Sequence, residues 1–236
     1  MPEGGPETAA LRAPPGLHLL AEVRALAELR RFRREQADLV RSLPRGAARD
    51  ILVLPGFLAS DRSTAPLRQS LSAIGHHVQG WGLGRNLGLR TGRFEAMEAA
   101  FLTAADRAAG PLVLIGWSLG GLYAVALAAR HAARVAHVFT LGSPVSGNLT
   151  ANHAWRGYQR IAGHPISAPP VDWRPGVLPP VPFTAVQALG DGVIHPLATR
   201  APDGPMAENV AVHGSHVGLA WNAQVVRLIA ERLIAQ

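Results

Sequence analysis

A serine flanked by glycines, between an apolar strand and a helix, is the feature that most constrains this chain. Residues 116–120 have the sequence Gly-Trp-Ser-Leu-Gly, after an uncharged apolar run at 111–115 and before an Ala/Leu-rich stretch at 122–129. A strand that becomes a helix so quickly holds the serine in a strained backbone conformation, and a Cβ at either flanking glycine would collide with neighbouring elements. The segment predicts a nucleophile elbow that exposes the Ser118 hydroxyl above the sheet edge.

The composition indicates one globular domain and excludes several kinds of site. The chain has 236 residues, of which 48% are hydrophobic and 17% charged, enough for a full core. There is no cysteine, which excludes disulfides, zinc–thiolate sites and a cysteine nucleophile. The net charge is +7, but the arginines are dispersed among acidic residues. Nucleic-acid binding needs basic residues gathered on one face, so we expect no nucleic-acid partner.

The sequence contains neither a secretion signal nor a convincing membrane span. Residues 1–16 include Glu3, Glu7 and several prolines in place of a basic start and an unbroken apolar run. The uncharged stretch at 111–129 is almost long enough to cross a bilayer, but a strand, a turn and a helix explain its glycines better. We therefore expect a cytoplasmic protein.

Residues 1–48 are expected to form a mobile tail, at 1–16, and one amphipathic helix. Residues 17–43 place apolar side chains at helical spacing, namely Leu19, Val23, Leu26, Leu29, Phe32, Leu39 and Leu43. Such a helix either packs on the domain's own core or makes peripheral contact with a membrane or a partner. Its opposite face mixes glutamates with arginines and is not strongly cationic, which favours packing on the core.

From residue 49 to residue 236 the pattern alternates between strands and helices. Strand patterns occur at 51–54, 77–79, 112–115, 135–141, 183–188 and 209–212, and a long irregular stretch follows the fourth of them. This alternation predicts an α/β fold with a mostly parallel sheet of about six strands and helices on both faces. Ligands of such sheets bind beyond the carboxyl ends of the strands, so the loops after strands are the candidate site.

A serine nucleophile needs a base within hydrogen-bond reach. The loop after the last strand contains His213 and His216. We favour His216 because it lies at the apex of the loop, whereas His213 directly adjoins the strand. The two histidines lack an obvious third ligand, so we expect no metal.

The base in turn needs a carboxylate that fixes its tautomer. Asp191 follows the strand at 183–188, and the Gly192 after it permits a sharp turn. Asp172, among prolines, and Asp203, in a loop without a clear preceding strand, are the weaker alternatives. The favoured order along the chain is serine, acid and histidine.

An oxyanion that forms on the substrate needs two backbone N–H donors. Leu119, directly after the serine, is the natural first donor. The second is expected from the loop after the first strand, where Gly56 allows close approach and Phe57, or else Leu58, donates. Arg85 or Asn86, in the loop after the second strand, could brace this loop.

These segments resemble the α/β-hydrolase superfamily, and within it the serine esterases and lipases. The resemblance covers about residues 50–236 and is strongest at 116–121, 190–194 and 214–218. It implies that Ser118 is the nucleophile, Asp191 the acid and His216 the base, with Phe57 and Leu119 as the oxyanion hole. The family usually has histidine before the glycine of the oxyanion loop, and this chain has Pro55 there.

The resemblance also places a short cap segment at about 144–182. Its aromatic residues Trp155, Tyr158 and Trp173 either bind an acyl chain or hold the cap to the domain. The apolar residues expected around the substrate are Leu58, Trp117, Val193, Ile194 and Trp155, although Trp117 has the alternative of packing beneath the elbow.

The sequence therefore predicts an esterase or lipase-like serine hydrolase that acts on a small-molecule or lipid ester through an acyl-enzyme, without a cofactor. Transfer of the acyl group to an alcohol or thiol by the same residues is one alternative. A non-catalytic binding protein of the same fold is another. The sequence does not define an oligomeric state.

Overall fold

Six parallel strands form the central sheet of the structure, a computed structural model that describes residues 11–171 and 174–234. The strands are β1 (Asp50–Leu54), β2 (His77–Gly80), β3 (Leu112–Trp117), β4 (Val135–Leu141), β5 (Phe183–Ala188) and β6 (Ala207–Val212). They are ordered β2-β1-β3-β4-β5-β6, and every neighbouring pair is parallel. The predicted fold is confirmed. Because β2 and β3 lie on opposite sides of β1, the strand order reverses between β1 and β3, the position at which such sheets bind ligands.

Seven α-helices lie in the described ranges: α1 (Gly16–Leu20), α2 (Ala25–Ser42), α3 (Ala65–Ala73), α4 (Arg93–Arg107), α5 (Leu119–Arg130), α6 (Trp155–Ala162) and α7 (Ala223–Ile234). None of the helices in those ranges is long and apolar enough to cross a membrane. Among the α-helices of the described ranges, α6 is the one that the sequence pattern did not reveal. It spans only two turns within a proline-rich stretch, too short for a helical period to stand out.

Each face of the sheet carries its own core because alternate strand residues point to opposite faces. On one face, Leu52, Leu54, Leu112 and Leu114 pack with helices α4 and α5. On the other, Ile51, Val53, Val113 and Ile115 pack with α2, α3 and α7. Both faces are therefore covered, which explains why the inner strands β1 and β3 contain continuous apolar runs.

The N-terminal helical segment, residues 16–42, packs on the second face. Phe32, Leu39 and Leu43 are buried in the core of that face, as expected from the helical spacing. The expectation is wrong for the first part of the segment, where Leu19, Val23 and Leu26 are exposed, Val23 by 74%. A 3-10 helix at Ala21–Arg24 separates α1 from α2. Its tighter winding turns the helix face by roughly 80° over four residues, so an ideal α-helical pattern does not hold across it.

Glu22 and Glu28 face the domain in place of those apolar residues, with Ala25 buried between them. The exposed apolar side chains, Leu17 and Leu20 included, form the outer surface of the segment. Peripheral membrane contact through residues 17–43 stays a prediction.

Replacing Phe32 with alanine tests whether this segment is part of the core. Loss of the buried ring should lower the free energy of unfolding by about 3 to 5 kcal/mol. The matched control is Leu26→Ala on the exposed side of the same helix, expected within about 0.5 kcal/mol of the wild type. Urea unfolding measures both. Equal effects of the two substitutions would contradict the packing described here.

Candidate active site

Ser118 lies at the turn between β3 and α5. Its backbone has φ 54° and ψ −120°, a conformation that is costly for any residue with a Cβ. The turn is held by the Ser118 N–H, which donates to the carbonyl of Leu141 on β4 at 2.8 Å. The residue is partly exposed, and its hydroxyl lies within hydrogen-bond distance of His216.

The glycines around the serine are required by space rather than by a special backbone angle. A Cβ on Gly116 would lie 2.3 Å from Cα of Gly121, and a Cβ on Gly120 would lie 2.2 Å from the carbonyl oxygen of Leu54. None of these glycines has a positive φ. Helix α5 can therefore begin directly against β1 and β3 only because side chains are absent there.

Three side chains from separate loops form one continuous hydrogen-bonded chain. His216 Nδ1 lies 2.7 Å from Asp191 Oδ2, and His216 Nε2 lies 3.0 Å from Ser118 Oγ. Asp191 is 2% exposed and His216 4%, so little water competes for these contacts. With the proton of the imidazole on Nδ1, Nε2 is free to accept the hydroxyl proton of Ser118.

The Asp191 carboxylate is oriented by its own loop. Its Oδ1 accepts the N–H groups of Val193, at 2.9 Å, and Ile194, at 2.7 Å, which leaves Oδ2 for His216. Asp203, one of the alternatives for the acid, is an exposed residue that pairs with Arg200. The other alternative, Asp172, lies outside the described residues.

The competing histidine, His213, is exposed. Its backbone N–H donates to Gln224, and its carbonyl accepts from Asn222, at the start of α7. It thus anchors the loop to α7, while His216 is the histidine at the serine. In the part of the chain that the structure describes, no group of three or more histidine, aspartate or glutamate residues could hold a metal ion.

The environment of His216 raises the pKa of its imidazole. Burial by itself would lower the pKa, but the charge of Asp191, the hydrogen bond to that carboxylate and the charge of Glu22 outweigh burial. The result lies above the ordinary histidine pKa of about 6.5. A raised pKa makes the imidazole a stronger proton acceptor.

The loop after β1 brings Phe57 and Leu58 to the same edge of the sheet. The N–H of Leu58 donates to the carbonyl of Asn86 at 2.7 Å, so this N–H is not free to bind a substrate oxygen. Leu58 has φ 62°, a strained conformation that turns the loop at this point. The N–H of Phe57 and that of Leu119 have no acceptor among the described residues. Both stay available for a substrate oxygen.

Arg85 and Asn86 were the two residues expected to brace the loop after β1, and Asn86 is the one that does so. Its side-chain N–H donates to the carbonyl of Pro55 at 2.8 Å, and its side-chain oxygen accepts from the hydroxyl of Tyr123. Asn86 is completely buried. The brace is a buried polar network in which both ends of the amide are satisfied.

Trp117 lies beneath the elbow in the core of the second face, and it is 7% exposed. Its indole N–H donates to the carbonyl of His216 at 3.1 Å. Trp117 thus packs beneath the elbow, the second of its two predicted positions. Its indole helps to hold the loop that carries His216. A buried indole needs such a hydrogen-bond partner.

Val193, Ile194 and Trp155, which were also expected around the substrate, lie in two different parts of the structure. Val193 and Ile194 pack in a small apolar cluster with Ala151 and Ala198, and Ile194 pairs with Asn152 in an isolated antiparallel bridge. This bridge fastens the acid loop to the start of the cap.

Helix α6 of the cap carries the partly exposed Trp155 and the buried Tyr158. The Tyr158 ring meets Phe57 edge to face, with 5.7 Å between the ring centroids. Tyr158 therefore holds the cap to the loop after β1, while Trp173 lies outside the described residues.

Sequence reasoning missed the contribution of the N-terminal segment to this site. Glu22 accepts the backbone N–H of His216 at 3.0 Å. No local motif marks such a residue, because its partners are backbone groups almost two hundred positions away in the chain. The one available signal is a pair of glutamates, Glu22 and Glu28, at a helical interval from buried Ala25.

The chain belongs to the alpha/beta hydrolase fold family, whose model matches residues 35–174. That match includes the elbow and the oxyanion loop, and it ends before Asp191 and His216. No curated protein sequence matches the chain at a significant level.

Several solved structures resemble this fold. A variant of the pyrethroid hydrolase PytH has a TM-score of 0.56 and 19% identity, over 79% of this chain and 98% of that one. The type II thioesterase BorB from the borrelidin biosynthetic cluster has a TM-score of 0.56 and 19% identity, over 80% and 94%. The bottromycin epimerase BotH has a TM-score of 0.54 and 18% identity, over 80% and 92%. At such identities the likeness concerns the fold alone. The names of the three proteins state three different activities.

Gly120→Ala tests the close approach at the elbow. The new Cβ would press on the backbone of β1, so the free energy of unfolding should fall by about 1 to 3 kcal/mol. Gly110→Ala is the control, because Gly110 is exposed and an added Cβ meets nothing within 4 Å. Denaturant unfolding of both variants makes the comparison, and equal stability would contradict the close packing of α5.

Proposed function

We propose that this protein is a serine hydrolase that cleaves carboxylic esters through an acyl-enzyme on Ser118. The observation that carries the proposal is the hydrogen-bonded chain from Asp191 through His216 to Ser118, with its last member on a strained strand-to-helix turn. A nucleophile, a base within reach and a buried group that orients the base are what acyl transfer to a hydroxyl requires.

In the first half of the reaction, Ser118 Oγ attacks the ester carbonyl carbon while His216 Nε2 takes the hydroxyl proton. Asp191 stabilises the imidazolium without accepting the proton itself. The negative charge on the carbonyl oxygen is stabilised by the N–H groups of Phe57 and Leu119. The tetrahedral intermediate then breaks its bond to the alcohol oxygen, and His216 returns the proton to that oxygen.

In the second half, His216 Nε2 takes a proton from water as the water oxygen attacks the acyl carbon. The bond to Ser118 Oγ breaks, and His216 returns the proton to the serine. The products are an alcohol and a carboxylic acid, and the free enzyme is restored. Acyl transfer to an alcohol or thiol differs only in the molecule that replaces water, so exclusion of water by the cap would decide between them.

An apolar acyl group suits the surroundings of the proposed oxyanion hole. Leu58 is 48% exposed beside Phe57, and α6 approaches the same loop through Tyr158. We infer that the acyl part lies between this loop and α6, with Trp155 at its far end.

Substitution of Ser118 with alanine tests the mechanism. A fluorophosphonate probe should label the wild type and leave Ser118→Ala unlabelled. Turnover of a short-chain nitrophenyl ester should fall by about 10⁴- to 10⁶-fold. Ser72→Ala, an exposed serine on α3, is the control and should behave as the wild type. Unchanged turnover in Ser118→Ala would reject the proposal. Turnover of an acyl thioester, measured in parallel, shows whether the enzyme prefers an alcohol or a thiol as the leaving group.

The pH dependence of kcat/KM tests the base. His216 must be neutral to accept a proton, so kcat/KM should fall at acidic pH with an apparent pKa above about 6.5. Asp191→Asn removes the negative charge that raises this pKa and should move the acidic limb to lower pH, with a loss of kcat of about 10⁴-fold. His213→Gln is the control and should leave the limb in place. An acidic limb that follows His213 instead would exclude His216 as the base.

A further inference from the structure

The N-terminal segment contacts both loops that carry the acid and the base. Glu22 Oε1 accepts the N–H of Gly192 at 2.8 Å and that of His216 at 3.0 Å. Glu22 Oε2 accepts the N–H of Val217 at 3.0 Å. One carboxylate thus joins the residue after Asp191 to the backbone of His216 itself.

Two further charged side chains of the same segment reinforce this contact. Arg24 donates to the carbonyl of Gly190 and, at 3.2 Å, to that of Gly214. Glu28 accepts the N–H of Ser215 at 3.2 Å and also its hydroxyl. Arg24 and Glu28 form an ion pair at 3.4 Å. The segment therefore binds backbone N–H groups with its carboxylates and carbonyls with its guanidinium, on both sides of Asp191 and on both sides of His216.

Glycines in the two loops make this approach possible. A Cβ on Gly190 would lie 2.2 Å from Nη2 of Arg24, and one on Gly192 would lie 2.0 Å from the carbonyl oxygen of His18. A Cβ on Gly218 would lie 1.9 Å from Oε2 of Glu28. None of these three glycines has a positive φ. The chain bends at Gly192 as predicted, and the missing side chain there also admits the N-terminal segment.

The position of β6 explains why the histidine loop needs this support. Strand β6 is at the edge of the sheet and has β5 as its neighbour there. Its loop therefore lacks a flanking strand on the outer side. The main chain of His216 is held at its carbonyl by Trp117 and at its N–H by Glu22. Without Glu22 the second of these contacts is lost.

We propose that Glu22 is a positioning residue for the reaction, whose carboxylate fixes the acid loop and the base loop relative to each other. It keeps the imidazole of His216 within hydrogen-bond distance of both Asp191 and Ser118. Its role in catalysis rests on the proposed function. The N-terminal segment, which mostly precedes the residues matched by the family model, is then part of the active-site structure in this chain.

Glu22 also acts on His216 through its charge. The charged groups around this histidine are Asp191 and Glu22, with Arg24 and Glu28 bound to the backbone of its loop. Asp191 and Glu22 raise the pKa of the imidazole. Glu22→Gln keeps the size of the side chain but removes the charge and one of the two acceptor oxygens. The pKa of His216 should fall because a negative charge that raises it is lost.

The test compares wild type, Glu22→Gln, Glu22→Asp and Glu35→Gln. Glu35 is the matched control because it lies further along the same N-terminal segment, on α2, and pairs with Arg31 at the surface. Thermal unfolding establishes that each variant is folded at the assay temperature. The kinetic readout is kcat and KM for the nitrophenyl ester as a function of pH. The second readout is the titration of the His216 ring protons by NMR, identified by their loss in His216→Gln, which needs no substrate.

For Glu22→Gln we expect a loss of kcat of about 10- to 100-fold with little change in KM, and a shift of the acidic limb and of the ring titration to lower pH. Glu35→Gln should match the wild type. Glu22→Asp keeps the charge but retracts the carboxylate, so kcat should fall while the ring titration shifts less than in Glu22→Gln. If Glu22→Gln does not fold, Glu22→Asp carries the test.

An unchanged kcat and ring titration in folded Glu22→Gln would overturn the inference, as would a wild-type kcat in Glu22→Asp. Failure of the proposed function looks different. In that case the wild type itself would neither hydrolyse the ester nor react with the fluorophosphonate, while the ring titration would still shift in Glu22→Gln.

Discussion

The backbone of Ser118 is the constraint on which the rest of this site depends. A positive φ at a residue with a Cβ is stable only if the surroundings fix it. Here α5 begins against β1 and β3 through glycines, and the Ser118 N–H is bound to Leu141. The hydroxyl consequently stands at the point where the strand order reverses, next to the loop that carries Phe57. A strained turn thus sets where the proposed nucleophile and the proposed oxyanion donors can meet.

The parallel sheet supplies the other groups, because all its strands end at the same edge. The loops after β1, β3, β5 and β6 lie there together, although their residues are far apart in the chain. The outermost loop is the least supported by the sheet itself. Polar contacts from Trp117 and from the N-terminal segment provide the missing support, and burial of Asp191 and His216 makes their mutual hydrogen bond strong.

Much of this architecture could be predicted from local patterns. The inner strands β1 and β3 contain short apolar runs, and β4 and β5 have the predicted bounds. The elbow is encoded within five residues, and the favoured acid and base each follow a strand. Other features depend on distant partners. Helix α6 is too short for its apolar residues to show a helical period. The face of the N-terminal helix that points to the core changes at the 3-10 turn. For Trp117 the sequence allowed two positions, and its hydrogen bond to His216 shows which one it takes.

The sequence by itself determined the order of the six strands along the chain, the elbow at Ser118 and the favoured candidates for acid and base, because each depends on neighbours within a few residues. The tertiary structure alone decided which backbone groups stay free beside the serine, where Trp117 lies and why Gly190, Gly192 and Gly218 lack side chains. The physical reason is that packing and buried hydrogen bonds join segments that the chain separates by up to about two hundred residues, and no local pattern records such a contact.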